Sequence, residues 1–171
     1  YETRPGISTE EYLDMVDRKT AVLYAAAAAI PAILVGADDA TTSALAEYGR
    51  SIGQAFQIRD DILDLTTPSE TLGKQRGSDL IEGKQTIITQ HAREQGVDVG
   101  GLIEASDPEA VDPAAIDAAV SRLEDAGSID YARERAEELV ESGIAELSVL
   151  PDTESRRRLE QIGTYLVERS Y

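Results

Sequence analysis

The sequence predicts an all-α helical bundle. Three observations carry this: apolar residues recur at helical spacing through nearly every segment, no stretch sustains the two-residue alternation of a strand, and helix-capping residues punctuate the chain. Ser8-Thr9-Glu10-Glu11 has the form of a capping box and opens a helix to about Val35, which Pro31 should kink. Gly36-Ala37-Asp38-Asp39 reads as a turn, with Asp39 the expected N-cap of a second long helix, Ala40 to Leu65. Thr66 to Gly77 holds Pro68, Gly73 and Gly77 and reads as a loop. A helical turn near Asp79 to Glu82 should lead, past Gly83, into a helix from Lys84 to Gln95. Gly96 to Val111 is a polar connection. Asp112-Pro113 pairs an N-cap with proline at the first helical position and starts a helix to about Ala126. Ser128 should cap another to about Leu150, and Asp152 or Thr153 a last one to about Arg169.

Composition excludes several kinds of function. The chain has 171 residues, enough for one domain with a hydrophobic core. Its longest apolar run, Ala25 to Val35, falls short of the roughly 18 residues that read as a membrane-spanning helix. With no cysteine, thiolate zinc sites, disulfides and cysteine nucleophiles are excluded, and the single histidine, His91, argues against multi-histidine metal sites and histidine triads. The net charge of −17 repels phosphate backbones, so no nucleic-acid partner is expected. Thirteen of the 16 basic residues are Arg, and the only lysines are Lys19, Lys74 and Lys84. An acidic surface that almost avoids lysine reads as salt-adapted, because salt screens its self-repulsion. The polar start, Tyr1-Glu2-Thr3-Arg4, lacks a secretory leader pattern, so a cytoplasmic protein is expected. A first residue other than Met suggests a piece of a longer product.

The sharpest chemical feature is Phe56-Gln57-Ile58-Arg59-Asp60-Asp61-Ile62-Leu63-Asp64. At 100° per residue from Asp60, Asp64 falls at about 40°, Gln57 at about 60° and Asp61 at about 100°, so three carboxylates and an amide share one helix face. Like charges at this spacing repel, and a hard cation such as Mg²⁺ offsets that repulsion while keeping sites for water and phosphate. A solvated acidic face is the competing reading. Downstream, Gly73-Lys74-Gln75-Arg76-Gly77-Ser78-Asp79-Leu80-Ile81-Glu82-Gly83-Lys84-Gln85-Thr86 concentrates two of the three lysines in a glycine-rich stretch, where backbone and ammonium groups can approach an anion. It contains no Walker motif. Lys19-Thr20 lies within the first helix, beside a run of alanines.

Together, Gly53 to Asp64, Gly73-Lys74, Gly77-Ser78-Asp79-Leu80 and Gly83-Lys84-Gln85-Thr86 resemble the second aspartate-rich region of the trans-prenyl diphosphate synthases of the geranylgeranyl and farnesyl type. Lys19-Thr20-Ala21 stands where that family carries a Lys-Thr motif. The resemblance spans the whole chain but only the family's C-terminal half, and is loose after Gly96. It implies an isoprenoid-synthase-type bundle, with residues 1–171 the C-terminal part of a single domain and the upstream half absent. The implied enzyme is a homodimeric prenyltransferase that joins isopentenyl diphosphate to an allylic diphosphate (dimethylallyl, geranyl or farnesyl) with Mg²⁺. Geranylgeranyl diphosphate is the expected product. Carried over, Lys19, Thr20, Gln57, Lys74 and Lys84 contact the allylic diphosphate, while Asp60, Asp61 and Asp64 serve the metal. Asp60, Lys19 and Lys74 are then the catalytic candidates.

Two departures accompany the resemblance. The family's first aspartate-rich motif and its paired arginines have no counterpart, since Asp38-Asp39 lacks a third Asp. These residues alone are therefore expected to be inactive, with the apolar faces of the first two helices covered by self-association. Arg156-Arg157-Arg158 and Arg169 read as structural, complementing a helix end. Tyr12, Tyr24, Tyr48, Tyr131 and Tyr165 read as core or interface, and His91 as solvated. Gly53 either leaves room for an isoprenoid tail or permits helix packing. The competing functions are a non-catalytic scaffold subunit of a prenyl synthase and a head-to-head squalene- or phytoene-type synthase. The intact lysines count against the first, and the Gly-Lys loop and Phe-Gln pair against the second.

Overall fold

The capping box forms: Ser8 N–H donates to Glu11 Oε2 at 2.9 Å while Glu11 N–H donates to Ser8 Oγ at 3.1 Å. From there the computed structural model, which describes residues 6–73, 75–103 and 111–168, is helical throughout, with no strand among the described residues. In order these are α1 (Thr9–Val16), a π-helical segment (Asp17–Ala21), α2 (Val22–Leu34), α3 (Asp39–Thr66), α4 (Ser69–Leu72), α5 (Ser78–Ile81), α6 (Ile87–Glu94), α7 (Pro113–Asp125), α8 (Ser128–Glu146) with a 3₁₀ turn (Leu147–Val149), and α9 (Glu154–Glu168).

Several boundaries depart from the sequence reading, each for a local reason. The first helix is interrupted at Asp17–Ala21, where the Val22 N–H bonds to Asp17 O, five residues back; Pro31 lies inside α2. The second helix is capped by Asp38 and not Asp39: Asp38 Oδ1 accepts the Thr41 N–H at 2.7 Å. Hydrogen bonding from Thr41 also holds the Asp38 carboxyl below its ordinary 3.8. The stretch from Thr66 to Gly77 contains one turn of helix, α4. The sixth helix starts at Ile87 and not at Lys84, because Thr86 caps it: Thr89 N–H donates to Thr86 Oγ1 at 3.2 Å and Thr86 N–H to Thr89 Oγ1 at 2.9 Å. Asp112 and Pro113 act as expected, with Asp112 Oδ1 accepting the Ala114 N–H at 2.9 Å. Thr153 caps α9, its Oγ1 3.3 Å from the Arg156 N–H.

The chain divides into two compact units, one from the described residues of Tyr1–Tyr12 and Ile58–Glu134, the other from those of Leu13–Gln57 and Arg135–Ser170. The first buries Tyr12, Ile58, Ile62, Ile87, Ile88 and Leu123. His91 belongs to it and is not simply solvated: its ring stacks on Tyr131 at 4.3 Å, and Nδ1 lies 3.0 Å from the buried Ser128 Oγ.

The second unit packs small residues against each other. Ala21, Ala25, Ala29 and Ala32 form the buried stripe of α2 and the segment before it. A Cβ at Gly53 would sit 2.7 Å from Ala21 Cα, and one at Gly49 2.4 Å from Tyr24 O. Of the two readings of Gly53, helix packing is the one its surroundings support. Tyr48 is buried and donates to Leu159 O at 2.7 Å, whereas Tyr165 is 67% exposed. The other side of α2 and the turn after it expose Leu23, Ile30, Ile33, Leu34 and Val35. No helix among the described residues is long and apolar enough to cross a membrane.

Candidate functional site

Proline ends α3 and thereby makes the site. Pro68 has no N–H to give the Asp64 carbonyl four residues back, so that carbonyl accepts the Gly77 N–H at 2.8 Å instead. The Asp64 side chain takes the next two residues, its Oδ1 accepting the Ser78 hydroxyl at 2.8 Å and its Oδ2 the Asp79 N–H at 3.1 Å. One aspartate thus holds three consecutive residues at the start of α5. Gly77 is suited to this turn, with φ at 72° in the left-handed region. Arg76 completes the junction, donating to Leu65 O at 2.5 Å and pairing with Asp117 at 2.6 Å.

One turn earlier, Asp61 is 1% exposed and accepts from two sides. Its Oδ2 takes the Tyr12 hydroxyl at 2.8 Å and its Oδ1 faces Lys84 Nζ at 3.4 Å. Lys84 also pairs with Asp79 Oδ2 at 2.6 Å. Burial alone would lower the Lys84 pKa, but the Asp61 and Asp79 carboxylates outweigh it and hold the ammonium above the ordinary 10.5. Burial, then the Asp61 charge, push the Tyr12 hydroxyl well above 10, so it stays a neutral donor. A small enclosed gap lined by Asp61, Leu65, Asp79, Leu80, Thr86 and Thr89 sits beside this cluster.

The expected residues therefore divide by environment. Asp60, Asp61, Asp64 and Lys84 lie in the first unit, with Asp61 and Asp64 buried and Asp60 half-buried. Lys19, Thr20 and Gln57 belong to the second unit. There Lys19 is exposed on the π-helical segment, and Thr20 donates to Gln57 Oε1 at 3.0 Å. Arg50 of α3 meets both carboxylate oxygens of Asp17 at 2.7 Å, fixing the start of that segment. Lys74 and Arg169 lie outside the described residues. Arg156, Arg157 and Arg158 pair with Glu160, Asp152 and Glu154, in keeping with a structural role. Sequence reasoning missed Tyr12, whose partner is 49 residues away, and gave Ser78 and Asp79 no separate role.

The donor set suits a shared metal better than a protein cage. Among the described residues no three acidic or histidine side chains gather as a metal cage. Mg²⁺ commonly uses one or two carboxylates with water and substrate oxygens. Asp60, Asp61 and Asp64 are carboxylates of this kind, and Asp61 and Asp64 keep further lone pairs beyond the hydrogen bonds described above.

Residues 1–122 match the family model described as polyprenyl synthetase. The chain is 63% identical over 171 residues to the geranylfarnesyl diphosphate synthase of Natronomonas pharaonis, covering all of this chain and 49% of that protein. It is 48% identical over 173 residues to the geranylgeranyl diphosphate synthase of Methanosarcina mazei, covering all of this chain and 52% of that one. Among solved structures, the geranylgeranyl pyrophosphate synthetase of Geoglobus acetivorans superposes with a TM-score of 0.85 at 38% identity, over 98% of this chain and 51% of that one. A polyprenyl synthase from Caulobacter crescentus, solved with calcium and isoprenyl diphosphate, gives 0.86 at 30% identity, over 98% and 52%. The chain spans about half the length of these relatives. Its helical fold is that of the trans-prenyl synthases, and the chain belongs to the polyprenyl synthetase family.

Proposed function

We propose that this chain is the C-terminal part of a trans-prenyl diphosphate synthase domain. The whole protein joins isopentenyl diphosphate to an allylic diphosphate and releases a longer prenyl diphosphate, with geranylgeranyl diphosphate the leading product. The observation that carries the reading is Lys84: a partly buried ammonium, kept charged by Asp61 and Asp79, beside the aspartate-rich turn of α3. An enzyme that expels diphosphate needs fixed positive charge where negative charge develops.

In this reading Lys19, Thr20, Gln57, Lys74 and Lys84 bind the allylic diphosphate. Asp60 would hold Mg²⁺ together with Asp61 and Asp64, and the metal would supply further charge neutralisation when bound. The allylic C–O bond breaks, and its electron pair leaves with the diphosphate. The isopentenyl double bond attacks the carbocation, and a proton is then lost. No protein nucleophile takes part. Tyr12 and Ser78 bind no substrate here; they hold Asp61 and Asp64.

Activity in this proposal needs more chain than these 171 residues, as the doubled length of the relatives supports. The exposed row Leu23, Ile30, Ile33, Leu34 and Val35 supports burial of that face in the assembled enzyme, proposed as a cytoplasmic, salt-adapted homodimer. The test is direct. Incubate the full-length protein with labelled isopentenyl diphosphate, each allylic diphosphate and Mg²⁺, and identify the products. Chain-extended trans products are expected. Diphosphate binding without transfer would favour a scaffold subunit, and squalene- or phytoene-type products a head-to-head enzyme.

A further inference from the structure

We propose that Tyr12 is a positioning residue for Lys84, acting through Asp61; this rests on the reading that Lys84 contacts a diphosphate. Tyr12 is buried, and its hydroxyl donates to Asp61 Oδ2 at 2.8 Å. The opposite oxygen, Oδ1, faces Lys84 Nζ at the longer distance of 3.4 Å. One oxygen of this carboxylate thus meets a phenol and the other an ammonium.

That division controls where the ammonium rests. Lys84 sits between Asp61 at 3.4 Å and Asp79 at 2.6 Å, and an ammonium has three donors, so one remains for a ligand beyond these two. With the hydroxyl in place, the Asp61 carboxylate cannot turn both oxygens toward Lys84. Without it, a buried ionised group that has lost a donor gains by closing on the neighbouring Lys84 ammonium. The ammonium is then drawn toward α3 and away from a bound diphosphate. Tyr12 does this while adding no charge of its own and touching no substrate.

The test compares two tyrosines in the full-length protein. Tyr12→Phe keeps the ring and removes only the hydroxyl. Tyr48→Phe makes the same change at a buried tyrosine of the second unit, whose hydroxyl meets Leu159 O and no member of this cluster. The readouts are inorganic pyrophosphate affinity by calorimetry with Mg²⁺ present, kcat and KM for prenyl transfer, and a crystal structure of Tyr12→Phe. We expect Tyr12→Phe to weaken pyrophosphate binding and lower kcat by about tenfold each, the scale of one charge-assisted contact. Tyr48→Phe should alter neither. In a Lys84→Ala background Tyr12→Phe should add less than about twofold, since its route is already gone. The variant crystal should show Asp61 turned and Lys84 Nζ closer than 3.4 Å. Wild-type affinity and kcat in Tyr12→Phe, an equal loss in Tyr48→Phe, an undiminished effect without Lys84, or an unmoved Asp61 each overturn the role. Were wild-type protein to bind no pyrophosphate and transfer no prenyl group, the diphosphate reading itself would fall, and this role with it.

Discussion

Ser78 donates its hydroxyl to Asp64 across 14 residues at 2.8 Å, and the neighbouring Asp79 N–H reaches the other oxygen of the same carboxylate. Asp64 is 1% exposed, while Ser78 and Asp79 are half-buried. Asp64→Ala should therefore cost about 1–3 kcal/mol, from two half-buried donors left without their acceptor. Asp60→Asn, at a half-buried position, should cost less stability but lower prenyl transfer more than Tyr12→Phe does. Denaturant melts and steady-state kinetics on both variants separate the roles. If Asp60→Asn proved the more destabilising and the less damaging to transfer, the division of labour along α3 would be wrong.

Gly53 is where α3 closes on Ala21. A methyl there meets backbone at 2.7 Å, and backbone does not yield as a flexible side chain does. Gly53→Ala should destabilise by about 1–3 kcal/mol, the usual cost of overpacking. A lowered urea midpoint with an unchanged slope is the expected signature. A variant as stable as the parent would mean the two segments stand further apart.

Stability should fall in alkali. Lys84 is raised above 10.5, so its contribution is complete below that value and lost as pH climbs through the folded value. Tyr12, raised well above 10, acts the same way: ionising it forces a buried phenolate against Asp61, so its contribution also fades from about pH 10 upward. Melting curves between pH 8 and about 11.5 should fall mainly above about 10. Lys84→Ala and Tyr12→Phe should each flatten that fall. A parent curve level to about pH 11.5 would contradict both shifts.

Metal and diphosphate should bind together. Asp60 offers few protein oxygens, and Mg²⁺ completes its shell from water and phosphate. Calorimetry with Mg²⁺ should show weak binding alone and at least about tenfold tighter binding with a diphosphate analogue present, by linkage. Tight binding without the analogue would indicate a protein-made site.

Much of the candidate site was legible because it is local. Asp60, Asp61 and Asp64 fall on adjacent turns of one helix, and Lys84 stands in a short glycine-bounded stretch soon after it. The helical wheel placed the three carboxylates on one face, but it cannot distinguish one that faces solvent from one that faces Tyr12 or Ser78. Spacing along a helix sets direction; burial is set by what packs against it.

What the sequence by itself determined about this protein is its helical class and most helix boundaries. Those rest on interactions within a few residues: capping at Ser8, Asp112 and Thr153, and helical spacing through α3. Only the tertiary structure decided that Asp61 and Asp64 are buried hydrogen-bond acceptors, that Gly53 is a packing position, and that Tyr12 belongs to the lysine's surroundings. The physical reason is separation along the chain. Tyr12 and Asp61 stand 49 residues apart, and no local preference for backbone or side chain records that their oxygens meet once the core has closed around them.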